Sequence, residues 1–531
     1  MDAAEEKALA RISAFEISEE MIAIAQHNKQ HAQLLDAGRG NPNWINTKGR
    51  LAQARLIEFG VKESKRTIDH GDLAGYIDKK GIANRLQAFL DPDDNEIDRF
   101  LIDAFTYLHH DLHFDLDEVV AEFTNGVIGN TYPTPSRVLP YTEKILNRYL
   151  QEILYQNKPL ADQTNLFLTE GGTAAIVYIF NSLKENHILN PGDKIAINTP
   201  IFTPYLEIPI LNDYDLVELH LSAEESRNWE LKGEELDKLQ DPSIKAFFLV
   251  NPSNPGSRSL TPELLAHLQR AVAKNPNLLI ITDDVYGTFV DDFQSVYSVV
   301  PYNTLLVYSF SKLFGVTGWR LGMIAVNQNN LFDHLIQKLP AADQKEMNKR
   351  YGIVEVNPAQ MKFIDRMTAD SRSIGLYHTS GLSTPQQILA DLFALTHLIL
   401  RGKPDQYVLT ARQIVSDRYA KLYEALGLPI NKSKNNSKYY AMIDVYRLAK
   451  LKYSEAFRNY LKDNYSPLDF LVRLADKFGI VLMYGRGFDA DGDSLRVSEA
   501  NLTFDDYQRI GDKILAVLQD YYAEYQQSLQ H

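Results

Sequence analysis

The chain of 531 residues contains no cysteine, which excludes disulfides, zinc-thiolate sites and thiol nucleophiles. It also lacks an excess of positive charge: 69 acidic residues outnumber 55 basic ones, and the net charge of -14 argues against a nucleic-acid or anionic-membrane partner. The longest apolar run, Ile388 to Leu400, is too short for a membrane span and is interrupted by Asp391 and His397. Because the first residues also lack the pattern of a signal peptide, we expect a cytoplasmic protein.

The length exceeds that of one ordinary hydrophobic core, so more than one domain is expected. Short apolar runs alternate with amphipathic stretches from Asn165 to Val326, which predicts an α/β domain with a mostly parallel sheet. Seven runs are predicted strands: Leu166 to Leu168, Lys194 to Asn198, Val217 to Leu221, Ala246 to Val250, Leu278 to Thr282, Thr304 to Tyr308 and Met323 to Val326. Further strands are predicted at Tyr440 to Val445 and Ile480 to Met483, and helices at Ala359 to Ala369, Ala411 to Leu426, Pro467 to Phe478 and Phe504 to Gln526.

One lysine stands at a position where a reactive amine would be useful. Lys312 follows the predicted strand Thr304 to Tyr308, and ligands bind at the carboxyl ends of strands in open α/β sheets. Around it lie Ser309, Ser311, two glycines and Arg320, in the stretch from Ser309 to Gly322. A lone lysine after a strand is more often an exposed side chain, but that interpretation leaves the surrounding residues unexplained.

Other segments carry polar residues at strand ends or helix starts. Thr169 to Ala175 places two glycines where an amphipathic helix begins, a local structure that binds phosphate well. Asp283 ends a buried apolar run, where a carboxylate could serve a cofactor or merely cap a helix. The segments Thr199 to Tyr205 and Asn251 to Gly256 each carry two prolines and also follow predicted strands.

These motifs, with Asp493 to Ser498 near the C-terminus, resemble in order and spacing those of fold-type I aminotransferases, which use pyridoxal 5'-phosphate. The resemblance implies a large domain with a mostly parallel seven-stranded sheet, plus a smaller α+β domain built from both chain ends. We place an N-terminal arm and helical segment, part of the small domain, at 1–120. The large cofactor-binding domain is then 121–400, with an insertion at about 327–376, and the C-terminal small domain is 401–531.

The resemblance also implies a role for each motif residue. Lys312 is the covalent partner of the cofactor and the base that takes the substrate's α-proton. Asp283 holds the proton on the pyridine nitrogen, while Asn254 and Tyr286 contact the phenolic oxygen. Contacts to the phosphate and the ring are implied for Gly172, Thr173, Ser309, Arg320 and Phe202, with Tyr132 reaching across a dimer to the partner's phosphate. Arg496 is implied to bind the substrate α-carboxylate as a bidentate fork.

The loop from Asp36 to Asn43, the insertion and the unusual length resemble the bifunctional aspartate 4-decarboxylase and aspartate aminotransferase family. A dicarboxylate substrate needs a second cation, and Arg39 can supply it beside Arg496. Arg372 and Thr379 are further candidates for shaping the same pocket.

Two departures from the patterns of these families are visible. Gly256-Ser257 stands where Thr-Gly is commoner, and Ser18 follows Phe15-Glu16-Ile17 where the bifunctional family commonly has a lysine. If that lysine assists decarboxylation, this protein leans toward transamination.

Three functional classes therefore remain open. The resemblance implies decarboxylation of L-aspartate to L-alanine together with transamination, acting on a small amino acid and a 2-oxo acid. A plain aminotransferase is the second class, and a non-enzymatic regulator on the same fold is the third, although no basic DNA-binding extension is visible. The resemblance further implies a homodimer with shared active sites, which decarboxylase members of the family build into larger assemblies. No metal site is predicted, because no carboxylate-framed motif accompanies His109, His110 and His113.

Overall fold

The computed structural model describes residues 14–27, 33–69, 73–93, 95–219, 232–488 and 494–530. Some sequence predictions fall partly outside these ranges. They are the parts of the N-terminal arm at 1–13 and 28–32, the last two residues of the predicted strand Val217 to Leu221, and Asp493 of the C-terminal motif. Among the described helices, none combines the length and the apolar character that crossing a bilayer requires.

The strands form one large and two small sheets. In chain order they are β1 Leu35–Asp36, β2 Thr164–Glu170, β3 Lys194–Asn198, β4 Asp215–Leu219, β5 Ile244–Val250, β6 Leu279–Asp283, β7 Thr304–Ser309, β8 Leu321–Asn327, β9 Tyr440–Asp444, β10 Ile480–Val481, β11 Met483–Tyr484 and β12 Ser494–Ser498. The large sheet has seven strands in the order β2-β8-β7-β6-β5-β3-β4. Strand β8 is antiparallel to both neighbours and the remaining pairs are parallel.

The prediction of an α/β fold with a mostly parallel seven-stranded sheet is confirmed, and each of the seven predicted runs falls on a strand of this sheet. Every residue of β6, β7 and β8 is buried. A strand covered on both faces needs a continuous apolar run, and such a run in the sequence therefore predicted each of these strands.

The helices are α1 Ala14–His27, α2 Thr47–Arg66, α3 Ile82–Phe89, α4 Glu96–His110, α5 Leu116–Ile128, α6 Pro140–Leu154, α7 Gly172–Glu185, α8 Glu207–Leu211, α9 Gly233–Asp237, α10 Pro262–Lys274, α11 Leu331–Gln337, α12 Ala341–Tyr351, α13 Phe363–Asp370, α14 Thr384–Leu398, α15 Gln406–Leu426, α16 Val445–Lys452, α17 Glu455–Asn464, α18 Pro467–Phe478 and α19 Phe504–Ser528. The predicted helix Ala359 to Ala369 begins only at Phe363, because Met361 and Lys362 are extended. The predicted strand Ile480 to Met483 is divided between β10 and β11.

Two large hydrophobic clusters organise the described part of the chain, and a third joins residues of β3 to β6 to α10. The larger contains the core of the seven-stranded sheet together with residues of α2 to α6 and α14. The second joins residues of α1, β1 and α15 to the C-terminal elements, including β9, β12 and α19. Strands β11, β12 and β9 form an antiparallel sheet there, and β1 pairs in parallel with β10. Domain boundaries at about residues 120 and 400 stay a proposal.

The segment predicted as an insertion contains α11, α12 and α13 and is tied to α7 by a buried polar network. Asp370 accepts hydrogen bonds from Ser182 at 2.6 Å and from Tyr351 at 2.9 Å, and it forms an ion pair with Arg350 at 3.0 Å. Hydrogen bonds to a buried carboxylate are stronger than neutral ones. This network therefore fixes α12 and α13 against the helix that starts at the functional site.

Candidate active site

A cavity lies at the carboxyl ends of β5, β6 and β7, and elements of the second cluster close its other side. Ten of the residues predicted from the motifs line it: Gly172, Thr173, Phe202, Asn254, Asp283, Tyr286, Ser309, Lys312, Arg320 and Arg496. Gly40 and Tyr440 reach the same cavity from the N-terminal loop and from β9. Residues far apart in the chain therefore converge where a parallel α/β sheet is expected to bind ligands.

Lys312 lies in the turn that follows β7, and its side chain is half-buried. Its Nζ lies 3.4 Å from the carbonyl oxygen of Gly40, to which it donates. Burial lowers the pKa of Lys312, and the charges of Arg496 and Arg320 lower it further, against the opposing effects of Tyr440 and Asp283. A lowered pKa increases the fraction of neutral amine, the form that attacks a carbonyl or takes a proton.

Asp283 ends β6 and is almost fully buried. Its Oδ2 accepts a hydrogen bond from the Tyr205 hydroxyl at 3.0 Å, and its Oδ1 accepts one from the backbone N–H of Val285 at 3.2 Å. Burial raises the pKa of this carboxyl to about 6, while the two hydrogen bonds and the charge of Lys312 oppose the rise. A cationic group bound in the cavity beside Asp283 would stabilise its ionised form.

Arg496, in the middle of β12, presents a buried guanidinium to the cavity. One of its Nη atoms donates to Asn254 Oδ1 at 2.9 Å, the other donates to the carbonyl of Gly38, and its Nε has no partner. No carboxylate of the described residues pairs with it, and burial lowers its pKa. A buried unpaired cation is costly, so this arrangement fits a site that binds an anion.

The other end of the cavity contains the start of α7. The N-terminal residue Gly172 follows Gly171, whose φ of 89° is open to glycine but strained for other residues. No side chain caps this helix, so its first N–H groups face the cavity together with Ser309 and the exposed Arg320. Arg320 has no carboxylate partner within the described ranges. Such a helix start beside a cation and hydroxyls is suited to a phosphate group.

Four predicted site residues lie outside the cavity of a single chain. In the single chain, Tyr132 is 70% exposed and its ring packs edge-on against that of His378. Arg39 pairs with Glu19. Arg372 pairs with Glu170 and donates to Tyr178, and the hydroxyl of Thr379 donates to the carbonyl of Leu376. Their roles at the site stay predictions.

Sequence reasoning did not select four polar residues that line the cavity, namely Tyr205, Ser311, Thr317 and Tyr440. Tyr205 lies three residues after Phe202 in a segment that was singled out for the phenylalanine alone, and Ser311 was noted only as a neighbour of Lys312. Tyr440 lies in a predicted strand about 130 residues beyond Lys312, and no local motif marks it. The pairing of β9 with β12, which also carries Arg496, brings Tyr440 to the site.

Comparison with known proteins identifies the class. The family model for aminotransferase class I and II matches residues 106–514. The chain therefore belongs to the class I and II aminotransferase family.

Within that family the chain is 42% identical over 523 residues to the bifunctional aspartate aminotransferase and L-aspartate beta-decarboxylase of Pseudomonas sp, with 98% of each protein covered. It is 32% identical to a probable aspartate/prephenate aminotransferase of Rhizobium leguminosarum bv. phaseoli, over 29% of this chain and 39% of the relative.

Solved structures share the fold at low sequence identity. The aspartate aminotransferase from Rhizobium meliloti superposes with a TM-score of 0.62 at 15% identity, covering 96% of both chains. The aspartate aminotransferase from Thermus thermophilus with maleate gives 0.60 at 16% identity, covering 98% of this chain and 99% of the other.

Proposed function

We propose that this cavity binds pyridoxal 5'-phosphate, the cofactor that the aminotransferase family implies. The residues present fit each part of that molecule. Lys312 offers an amine to its aldehyde, and Asp283 offers a carboxylate to its pyridine nitrogen. The hydroxyl of Tyr286 and the amide of Asn254 suit its phenolic oxygen, while the uncapped start of α7 and Arg320 suit its phosphate. Phe202 lines the cavity as an apolar wall for the ring.

We further propose that the protein is an aspartate 4-decarboxylase that converts L-aspartate to L-alanine and carbon dioxide, with aspartate aminotransferase activity. The observation that carries the proposal is the similarity to the bifunctional Pseudomonas protein over 98% of both chains. The buried and unpaired guanidinium of Arg496 supports an amino acid substrate, because it can hold an α-carboxylate in bidentate fashion.

The side chains of the cavity then have separate tasks. Bound pyridoxal phosphate supplies an electron sink next to the substrate nitrogen. Lys312 takes the proton from Cα and, after carbon dioxide has left, returns a proton to Cα, while Asp283 holds the proton on the ring nitrogen. Arg496 orients the substrate through its α-carboxylate. In the decarboxylation, the bond between Cβ and the β-carboxyl carbon breaks, carbon dioxide leaves, and Cβ receives a proton in its place.

A plain aspartate aminotransferase is the second candidate, and a specific observation favours it. Ser18 occupies the position where the bifunctional family commonly has a lysine, and it is buried in α1. A Cβ built on Gly38 would lie 3.1 Å from Ser18 Oγ, and the carbonyl of Gly38 accepts a hydrogen bond from Arg496. The residue at position 18 is therefore close to the substrate end of the cavity, and here it carries no charge.

Incubation with L-aspartate in the absence of any 2-oxo acid tests the proposed function. Decarboxylation returns the substrate nitrogen in alanine and needs no acceptor, so we expect alanine to accumulate far beyond one equivalent per site. Alanine is measured because free oxaloacetate also loses carbon dioxide. A single equivalent of oxaloacetate without alanine would favour the plain aminotransferase. Addition of 2-oxoglutarate should yield glutamate in either case, and Lys312→Ala should yield neither product.

The quaternary structure and location are also proposals. A homodimer with shared active sites would place the exposed Tyr132 of one subunit at the partner's phosphate site, and its exposure in the single chain supports this. A larger assembly of dimers and a cytoplasmic location remain expectations from the sequence.

A further inference from the structure

Tyr440 reaches the candidate active site from a different sheet than the cofactor motifs. It begins β9, is almost fully buried, and lines the cavity that contains Lys312. Its hydroxyl lies 2.9 Å from the hydroxyl of Tyr286, and either oxygen can donate in this hydrogen bond. The two rings meet nearly edge to face, with centroids 5.5 Å apart. Tyr440 thus touches the one tyrosine that the motifs assign to the phenolic oxygen.

The surroundings of Tyr440 hold its ring in place. The guanidinium of Arg496 lies 4.3 Å from the ring centroid, a cation–π distance, and the ring of Tyr439 lies 5.1 Å away. A Cβ at Gly40 would come within 2.1 Å of the Tyr440 hydroxyl, so only glycine leaves room for it there. Among the described residues, four titratable groups interact electrostatically with Tyr440: Lys312, Arg496, Tyr286 and Tyr439.

Ser257 anchors the backbone of Tyr440. Its Oγ accepts a hydrogen bond from the N–H of Tyr440 at 2.9 Å and donates to the carbonyl of the same residue at 3.0 Å. The N–H of Ser437 donates to the Ser257 carbonyl at 2.9 Å. Ser257 has a φ of 59°, a left-handed conformation that is strained for a non-glycine residue. This is the position where the resembled motif has glycine, and the serine side chain makes two hydrogen bonds that glycine cannot.

We propose that Tyr440, anchored by Ser257, is a positioning residue that acts through the hydroxyl of Tyr286 on the bound cofactor. This inference rests on the proposed binding of pyridoxal phosphate and not on the substrate. When Tyr286 donates its only hydroxyl proton to the phenolic oxygen, the hydrogen bond between the two tyrosines must run from Tyr440 to Tyr286. That bond polarises the Tyr286 hydroxyl and strengthens its own donation.

The test is a double-mutant cycle read from the pH dependence of the absorbance of the bound cofactor. Tyr286→Phe and Tyr440→Phe should move the pH midpoint of the absorbance change in the same direction. For Tyr440→Phe the shift should be about half to one pH unit, the size expected for one hydrogen bond. In the Tyr286→Phe background, Tyr440→Phe should cause no further shift, because its route to the cofactor is then lost. An equal shift in both backgrounds, or none in either, would overturn the proposal.

A second variant and a control separate positioning from folding. Ser257→Gly keeps the left-handed backbone but loses both hydrogen bonds to Tyr440. It should therefore shift the pH midpoint in the same direction by a smaller amount. An unchanged midpoint would contradict the anchoring role. Tyr149→Phe is the control, because it breaks an equally buried hydroxyl pair, with Tyr308 at 3.1 Å, outside the cavity. It should leave the midpoint unchanged.

Failure of the unaltered chain to bind pyridoxal phosphate would contradict this inference and the proposed cofactor together. Failure to turn over aspartate would contradict only the proposed reaction.

Discussion

At the scale of single residues, burial changes the ionisation of Lys312 and Asp283 in opposite senses. Burial disfavours charge on both, which lowers the pKa of the amine and raises that of the carboxyl to about 6. Asp283 can therefore change protonation near pH 6, and the neutral fraction of the Lys312 amine is increased, as acid–base chemistry requires. Arg496 keeps its charge, since guanidinium groups remain protonated in proteins. The site thus combines two adjustable groups with one fixed cation.

Lys312→Ala should abolish covalent attachment of the cofactor. Reduction of the loaded protein with borohydride, followed by digestion and mass spectrometry, should find the cofactor on the peptide containing Lys312 in the unaltered protein and on no peptide in the variant. Activity should fall by at least about 10³-fold, since the lysine is also the base. The exposed Lys338 provides the control, and Lys338→Ala should behave as the unaltered protein. Attachment that survived Lys312→Ala would refute the assignment.

Arg496→Lys should raise the KM for aspartate by about 10- to 100-fold, because an ammonium cannot form the bidentate pair with the α-carboxylate. Steady-state kinetics with aspartate measure the effect, and cofactor loading should be little changed. Arg509→Lys is the matched control, because Arg509 is exposed and its ion pair with Asp506 and hydrogen bond to Gln33 lie outside the cavity. A KM unchanged by Arg496→Lys would argue against this carboxylate site.

Asp284, next to Asp283, should make stability depend on pH. It is fully buried, its Oδ2 has no partner, and burial raises its pKa to about 7. Between pH values of about 3.9, its pKa in the unfolded chain, and about 7, Asp284 is ionised in the unfolded chain but keeps its proton in the folded chain. Its contribution to the free energy of unfolding is therefore full below pH 4 and is lost as the pH rises toward 7.

The stability of the unaltered protein relative to Asp284→Asn should therefore fall by up to about 1.4 kcal/mol per pH unit over this range and level off above pH 7. Denaturant unfolding of both proteins at several pH values, in the same cofactor state, measures the difference. A difference independent of pH would show that Asp284 is already ionised in the folded protein.

At the scale of secondary-structure elements, sequence patterns predicted the features that depend on residues close together in the chain. The fully buried strands β6, β7 and β8 were predictable because burial on both faces requires apolar runs. Lys312, Asp283 and Asn254 were predictable because each lies at or just after the end of a predicted strand within a recognisable motif. Tyr440 and Tyr205 were not, because their roles depend on contacts with residues distant in sequence. The same limit applies to Arg39, whose side chain in this structure pairs with Glu19.

The turn before α7 offers a test at this scale. Gly171→Ala places a Cβ within 2.5 Å of the Arg320 guanidinium in a backbone conformation reserved for glycine. We expect a loss of about 1–3 kcal/mol in the free energy of unfolding. Affinity for pyridoxal phosphate should fall as well, as measured by equilibrium titration. Gly375→Ala is the control, because no atom lies within 4 Å of a Cβ at that position. Equal affinity in both variants would contradict the proposed phosphate site.

At the scale of the whole molecule, two hydrophobic clusters meet at the cavity. The large sheet and the turn after it supply Asp283 and Lys312, while β12, β9 and the N-terminal loop supply Arg496, Tyr440 and Gly40. A ligand that contacts both groups of residues should stabilise their arrangement around the cavity. The proposed third contribution is the exposed Tyr132 of a second copy of the chain.

Hybrid dimers test the shared site. Subunits carrying Lys312→Ala and subunits carrying Tyr132→Ala should each be poorly active alone. A hybrid dimer would contain one site with both residues intact, so random mixing after dissociation and reassociation should restore about a quarter of the unaltered activity. The mixture is compared with each variant treated in the same way. Activity no higher than the average of the two variants would contradict a role for Tyr132 across a dimer interface.

The central claim is that this site removes the β-carboxylate of aspartate. The most direct measurement uses L-aspartate labelled with ¹³C at C4 or at C1, without any 2-oxo acid, and follows labelled carbon dioxide and alanine together. We predict one labelled carbon dioxide per alanine from the C4-labelled substrate, and retention of the label in alanine from the C1-labelled substrate. Label released from C1, or a lack of alanine from either substrate, would contradict the account.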